Sequence, residues 1–234
     1  MGMKYETSIS FKVAVTAMLS LSAMHMTVAG NDQAVDIKGA AINAALPISK
    51  AEQNMASTTG GRINGKNKQR VTVKGAAVNF SMYGAKAEQN MSSVKGKVSG
   101  TNNQKTNLTG AAVNAAGYGA MAKTNMSSVN GSVNGNNNQS TLVTGAVVNA
   151  AALGAKASVN LASVNGSVNG MNRQRAVVGG AIVNVAAMGG LAEVNVASKS
   201  RGVSGGNAQT AIVGGAIINY SGFGIPSKVN INSN

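Results

Sequence analysis

VNGSVNGMNRQRAVVGGAIVN, residues 164–184, alternates with a period of two. Val164, Gly166, Val168, Gly170, Asn172, Gln174, Ala176, Val178, Gly180, Ile182 and Asn184 share one parity, extended upstream by Ala162. Ser163, Asn165, Ser167, Asn169, Met171, Arg173 and Arg175 hold the other. Successive side chains of a strand point to opposite faces. The pattern therefore predicts a β wall whose inner face is small or apolar with in-line amides, and whose outer face is polar. A helix fits poorly, because each interior Gly costs it about 1 kcal/mol and helical repeats of this length carry Leu-rich faces.

The stretch belongs to a repeat. GAAIN starts at Gly39, GAAVN at Gly75 and Gly110, GAVVN at Gly145, GAIVN at Gly180 and GAIIN at Gly215, so the first step is 36 residues and the rest are 35. The extra residue falls in Thr58–Gly61. A second block recurs in phase and ends at Met55, Met91, Met126, Leu161, Val196 and Ile231. A third, Asn-x-Gln, recurs at Asn67/Gln69, Asn102/Gln104, Asn137/Gln139, Asn172/Gln174 and Asn207/Gln209. Unequal hairpins of a barrel would not hold so rigid a period. The prediction is an all-β fold, a β-solenoid of about six 35-residue repeats over residues 39–234, starting at 39, 75, 110, 145, 180 and 215. Asn130-Gly131, Asn134-Gly135, Asn165-Gly166 and Asn169-Gly170 tolerate left-handed backbone and are expected at its corners. Whether one copy makes one rung or two stays open, since VNAAGYG at Val113 echoes VNGSVNG at Val129.

Composition agrees with a thin layered architecture. Among 234 residues there are 30 Gly, no Trp and no Cys, with 3% aromatic, 11% charged and 44% hydrophobic residues. That is too apolar for disorder and too poor in large side chains for one jigsaw core. Without Cys, stability comes from backbone pairing and packing, with neither disulfides nor thiolate metal sites. Upstream, Lys4 and Lys12 flank an apolar stretch from Phe11 to Met24, followed by small residues at Thr27–Gly30. That order reads as a secretory signal peptide over residues 1–29, cut near Ala29 or Gly30. A lead-in of residues 30–38 follows, and no segment of the remainder is long and apolar enough to span a membrane.

Rungs stacked about 4.8 Å apart place equivalent residues directly above one another. Three amide columns are expected: Asn43, Asn79, Asn114, Asn149, Asn184 and Asn219; Asn54, Asn90, Asn125, Asn160, Asn195 and Asn230; and the Asn-x-Gln pair with Gln69, Gln104, Gln139, Gln174 and Gln209. An amide both donates and accepts, so each bonds its neighbours above and below. A buried amide lacking them would be costly, which is why their recurrence at inward positions makes sense in a stack.

Val-x-Gly-x-Asn-x-Gln at Val133–Gln139 and Val168–Gln174, beside Val-Asn-Ala-Ala-Gly at Val113–Gly117, resembles the repeats of the Fap-type and curlin-type functional amyloids. Curlin repeats are shorter and space their Gln pair differently, and the Fap major subunit has long linkers, whereas these copies are contiguous. The resemblance implies secretion, extracellular polymerisation and a role in biofilm matrix and surface adhesion.

Nothing in the chain suggests catalysis or a cofactor. The single His, His25, lies in the leader, and the acidic residues beyond it are Asp32, Asp36, Glu52, Glu88 and Glu193. Glu52 and Glu88 would stack as like charges, unlike an acid/base pair tuned apart. Gly117–Ala122 matches the loose dinucleotide fingerprint but lies inside a repeat with no βαβ unit around it. The Met55, Met91, Met126 column passes to Leu161, Val196 and Ile231, as apolar packing would. An ice-binding face needs a flat Thr array, yet Thr72, Thr106 and Thr141 give way to Ala176 and Ala211.

Net charge is +14, about +13 without the leader's two Lys and one Glu. Basic residues crowd the first two copies at Arg62, Lys66, Lys68, Arg70, Lys74, Lys86, Lys95, Lys97 and Lys105. Of these, Arg62, Lys66, Lys68, Arg70, Lys95, Lys97 and Lys105 are candidate contacts for anionic extracellular polymers. The expected protein is a secreted, cell-surface, non-enzymatic fibre subunit that partners with itself and a nucleator or companion subunit. The alternative is a monomeric solenoid adhesin binding anionic polymers; an outer column that stays the same in every copy together with capped ends would favour it, and the exterior reads as variable and the ends as uncapped.

Overall fold

The computed structural model describes residues 27–45, 50–82, 86–118, 121–153, 156–188, 191–200, 202–222 and 227–232. The expected leader lies outside them up to residue 26, and its cleavage site falls within the first described strand, Thr27–Ile37.

The described chain is a parallel β-solenoid with three walls. Wall two stacks the Gly-Ala blocks as six strands, from Ala40–Ala45 and Ala76–Ser81 through Ala111–Ala116, Ala146–Ala151 and Ala181–Ala186 to Ile217–Ser221. Wall three stacks the second block, again as six strands, from Ala51–Met55 to Ser227–Ile231. Wall one has eleven strands, six of which carry the Asn-x-Gln signature. From the second copy on it has two halves, such as Val94–Ser99 and Asn102–Leu108, separated by a kink at Gly100, Gly135, Gly170 and Gly205 with φ of 124°, 135°, 132° and 128°. Every pairing is parallel, and each residue meets the one 35 positions on, as Asn114 meets Asn149 and Asn149 meets Asn184. One repeat is therefore one turn, which closes the question of two rungs. The first step is 36 residues, Asn43 opposite Asn79, and the surplus residue is absorbed as a bulge between Thr59 and Arg62.

Parity holds as expected over residues 164–184. Val164, Val168, Asn172, Gln174, Ala176, Val178, Ile182 and Asn184 are buried, and Asn165, Ser167, Asn169, Met171, Arg173 and Arg175 are exposed. Small side chains suit the narrow space between walls. The Met91, Met126 and Leu161 column is fully buried beside Leu108, Val143, Val178 and Ile182. A separate cluster of Val94, Val98, Val129, Val133, Val164 and Val168 fills the first half of wall one.

Four sequence expectations need correcting. Ser163, read as outward, is buried at a corner. Residues 30–37 of the segment read as a lead-in belong to the strand Thr27–Ile37, which pairs in register with wall one and sets Asn31 on Asn67 and Gln33 on Gln69. Thr106 and Thr141 are buried inside, and Thr106 stacks on Val71, not on Thr72. The Asn-Gly pairs bend wall one instead of making all the corners. The corner from wall three into wall one is turned by non-glycine residues in left-handed conformation: Ala56, Ser92, Ser127, Ala162 and Ala197, with φ between 43° and 49°.

That conformation costs roughly 1–2 kcal/mol per residue, and the corner is stitched to offset it. Ser92 Oγ donates to the Lys105 carbonyl at 2.9 Å, and Ser127 Oγ donates to the Ser140 carbonyl at 2.9 Å. The next residue, Ser93, Ser128 or Ser163, donates to the carbonyl two residues back and to one on the following rung, as Ser128 does to Met126 and Asn160 at 3.0 and 2.9 Å.

Candidate functional site

The amides form ladders. Asn43, Asn79, Asn114, Asn149 and Asn184 each donate Nδ2–H to the Oδ1 of the next rung, ending on Asn219, at 2.7–2.8 Å. Each of Asn79, Asn114, Asn149 and Asn184 also donates to a wall-three carbonyl, as Asn114 does to Ala87 at 3.2 Å. The Asn of the Asn-x-Gln signature forms a second ladder from Asn31 through Asn67, Asn102, Asn137 and Asn172 to Asn207, also donating toward later rungs, at 2.6–2.8 Å. The glutamines run the other way: Gln209, Gln174, Gln139, Gln104 and Gln69 each donate to the preceding rung, ending on Gln33, at 2.7–3.1 Å.

A short glutamine ladder was not visible from the repeats. Gln89 donates to Gln53 at 2.7 Å inside wall three, and the next rung replaces Gln by Thr124. Thr124 donates to Asn149 instead, so the buried Gln89 Oε1 has no donor. The signal was the shared AEQNM of the first two copies.

The Asn54–Asn230 column is real but is not inward. Ala51, Gln53 and Met55 fill the inner face of wall three, and Glu52 and Asn54 point out. Its bonds run toward earlier rungs, Asn90 to Asn54, Asn125 to Asn90, Asn160 to Asn125, Asn195 to Asn160 and Asn230 to Asn195, at 2.7–2.9 Å. One outer column is thus the same in all six strands, contrary to the variable exterior expected. Asn90 and Asn125 are only 5% and 8% exposed because the left-handed corner folds the first half of wall one against wall three. Between these outer faces lies a groove of about 700 Å³.

Charge in the groove is mixed. Lys95 bridges Glu88 at 3.0 Å to both carboxylate oxygens. Glu52 and Glu88 are in register, as expected of like charges, and Lys123 follows on the next rung. Among the described residues, the Lys123 ammonium has no hydrogen-bond or ion-pair partner. Burial lowers its pKa below the usual lysine value; Glu88 and Glu193 pull it back up and Lys95 lowers it further.

The candidate anion contacts divide. Arg62, Lys66, Lys68, Arg70, Lys97 and Lys105 are exposed on wall one, where Arg62 stacks against Lys97 and Arg70 against Lys105. Lys68 pairs with Asp32 at 3.3 Å, and Lys95 belongs to the groove. His25 lies outside the described residues. Among the described residues no three His, Cys, Asp or Glu cluster as a metal site would need, and no helix is long and apolar enough to cross a membrane.

No protein family, curated protein or solved structure matches this chain.

Proposed function

We propose that this protein is an exported structural subunit that polymerises by seating the first rung of one copy on the last rung of another. The product is an extracellular fibre of the kind built by the functional amyloids its repeats resemble, serving matrix cohesion and surface adhesion. The observation that carries the reading is the residue-for-residue match between the first and last described rungs. In the last described rung Val213 and Ile231 are 37% and 45% exposed, against 0% for Val178 and Val196 beneath them. A second copy placed one rung further on sets Asn43 on Asn219, Asn54 on Asn230 and Gln33 on Gln209. It also sets Glu52 on Lys228, opposite charges where the chain's own next contact is Glu52 on Glu88.

Gly39 supplies the test. A Cβ on Gly75, Gly110, Gly145, Gly180 or Gly215 would meet the preceding glycine's carbonyl oxygen within 1.9 Å, whereas a Cβ on Gly39 meets nothing within 4 Å. Gly39→Ala is therefore harmless in one molecule and collides with the Gly215 carbonyl only across a junction. The parent chain at micromolar concentration should give fibres with a meridional spacing of about 4.7–4.8 Å. Gly39→Ala should keep the parent's melting temperature and fail to elongate parent seeds. A parent that stays monomeric by light scattering for days overturns the reading, as does a Gly39→Ala chain that elongates like the parent.

A further inference from the structure

We infer that the groove between wall three and the first half of wall one binds a single extended chain of an acidic, uronate-bearing polysaccharide lying along the solenoid axis. This does not depend on whether copies stack, since every group involved lies within one molecule.

The two asparagine columns differ in how their amides are satisfied. In the inner column, Asn79, Asn114, Asn149 and Asn184 use one N–H on the ladder and direct another bond to a wall carbonyl. In the groove column, Asn90, Asn125 and Asn195 make only the ladder donation, at 2.7–2.9 Å. Asn90 and Asn125 are more than nine-tenths buried, and their open side is the groove. The rungs of Asn90, Asn125 and Asn195 thus each offer an amide N–H that makes no bond within the protein, while Asn160 spends its second N–H on Ser158 Oγ at 3.3 Å, and neighbouring rungs lie at the strand spacing of about 4.8 Å. Donors of this kind suit hydroxyl groups. Their recurrence along the column suits a polymer better than a compact ligand.

The groove also selects for charge. Five lysines (Lys95, Lys123, Lys156, Lys199 and Lys228) line it against two glutamates, and Lys95 already occupies Glu88. Lys123 sits midway with no hydrogen-bond or ion-pair partner of its own, and Lys156, beside the Ala157 that pairs with Ala122, lines the groove one rung on. Holding a half-buried ammonium without a partner is costly, and a carboxylate between Lys123 and Lys156 removes that cost with a charge-assisted bond. Among the described lining residues there is no aromatic ring, so a nucleic-acid strand would find phosphate contacts but no stacking platform.

The test is fluorescence anisotropy with labelled polygalacturonate oligomers. The comparison ligands are the methyl-esterified oligomer and a single-stranded oligonucleotide of equal charge. The proteins are the parent chain, Lys123→Gln, Lys156→Gln and, as a charge-matched control at the exposed turn that follows wall one, Lys74→Gln. Losing a charge-assisted bond should weaken polygalacturonate binding by at least about tenfold in the two groove variants. Lys74→Gln should bind like the parent, and the ester should bind poorly to every chain. Each variant's melting temperature is read alongside, so a folding defect is not mistaken for lost contact; if either groove variant fails to fold, Lys228→Gln in the same groove replaces it. Equal losses in all variants would mean a diffuse basic surface and overturn the site. So would an oligonucleotide that binds as tightly with the same groove dependence, or no binding to the parent.

Discussion

Gln174 donates to Gln139 at 3.1 Å and to the Ser198 carbonyl at 3.2 Å, and accepts from Gln209 at 2.7 Å. Gln174→Ala leaves those groups without partners, at roughly 1–3 kcal/mol. The exposed Ser167→Ala should cost at most a few tenths. Denaturant melts of both variants beside the parent check this, and equal midpoints would rule out a ladder role. Gln53 and Gln89 give the opposite lesson. Gln89→Val takes the donor from Gln53 and should cost about 1–3 kcal/mol, whereas Gln53→Val with Gln89→Val, copying Val159 and Val194 above, removes both partners together. The double variant should recover most of the single's loss; a loss equal to the sum of the two singles would contradict the ladder account. At this scale the inner ladders were legible, because Val and Ile share their parity. The outer one was misread: Asn54 alternates just as regularly, and only the neighbouring Ala51 and Met55, small and apolar, mark the opposite face as inner.

Walls depend on close backbone approach at columns of glycines, the Gly75–Gly215 column and those of Gly100–Gly205 and Gly131–Gly166 in wall one. A Cβ on Gly180 would lie 1.9 Å from the Gly145 oxygen, while one on Gly179 would lie 3.9 Å from its nearest neighbour, Val143 O. Gly180→Ala should lose roughly 1–3 kcal/mol or more by forcing two rungs apart, and Gly179→Ala should lose nothing. Thermal melts of the pair decide it, and similar melting temperatures would show that the rungs can separate cheaply there. The period, phase and wall positions could be read from these blocks because identical residues must stack. The corner into wall one could not. Ser127 and Ala162 carry no turn signature, and their left-handed conformation is imposed by the hydrogen bonds around them. The groove follows from that corner, so it was hidden as well. The strand Thr27–Ile37 is hidden for a simpler reason: its Asn31 and Gln33 precede the first Gly-Ala block, which begins at Gly39.

The whole molecule carries +14 with like charges stacked on wall one, Arg62 on Lys97 and Arg70 on Lys105. Bringing copies together adds to that repulsion. Raising ionic strength from about 0.01 M to about 0.15 M shortens the Debye length from about 30 Å to about 8 Å. Assembly followed by light scattering should therefore speed up over that range. Slower assembly in salt would mean that attraction across the junction, Glu52 to Lys228, outweighs the general repulsion.

The directions of the four long ladders have an electrical meaning. Every side-chain amide is a dipole, and a column of them pointing one way adds up along its length, as peptide dipoles do in a helix. Here the Asn43 and Asn31 columns donate toward later rungs, and the Asn230 and Gln209 columns donate toward earlier ones. Two columns oppose two, so their moments largely cancel within each rung. A stack of any length then builds little potential difference between its tips from these dipoles, and its length is limited by the net charge of the copies and not by their amides.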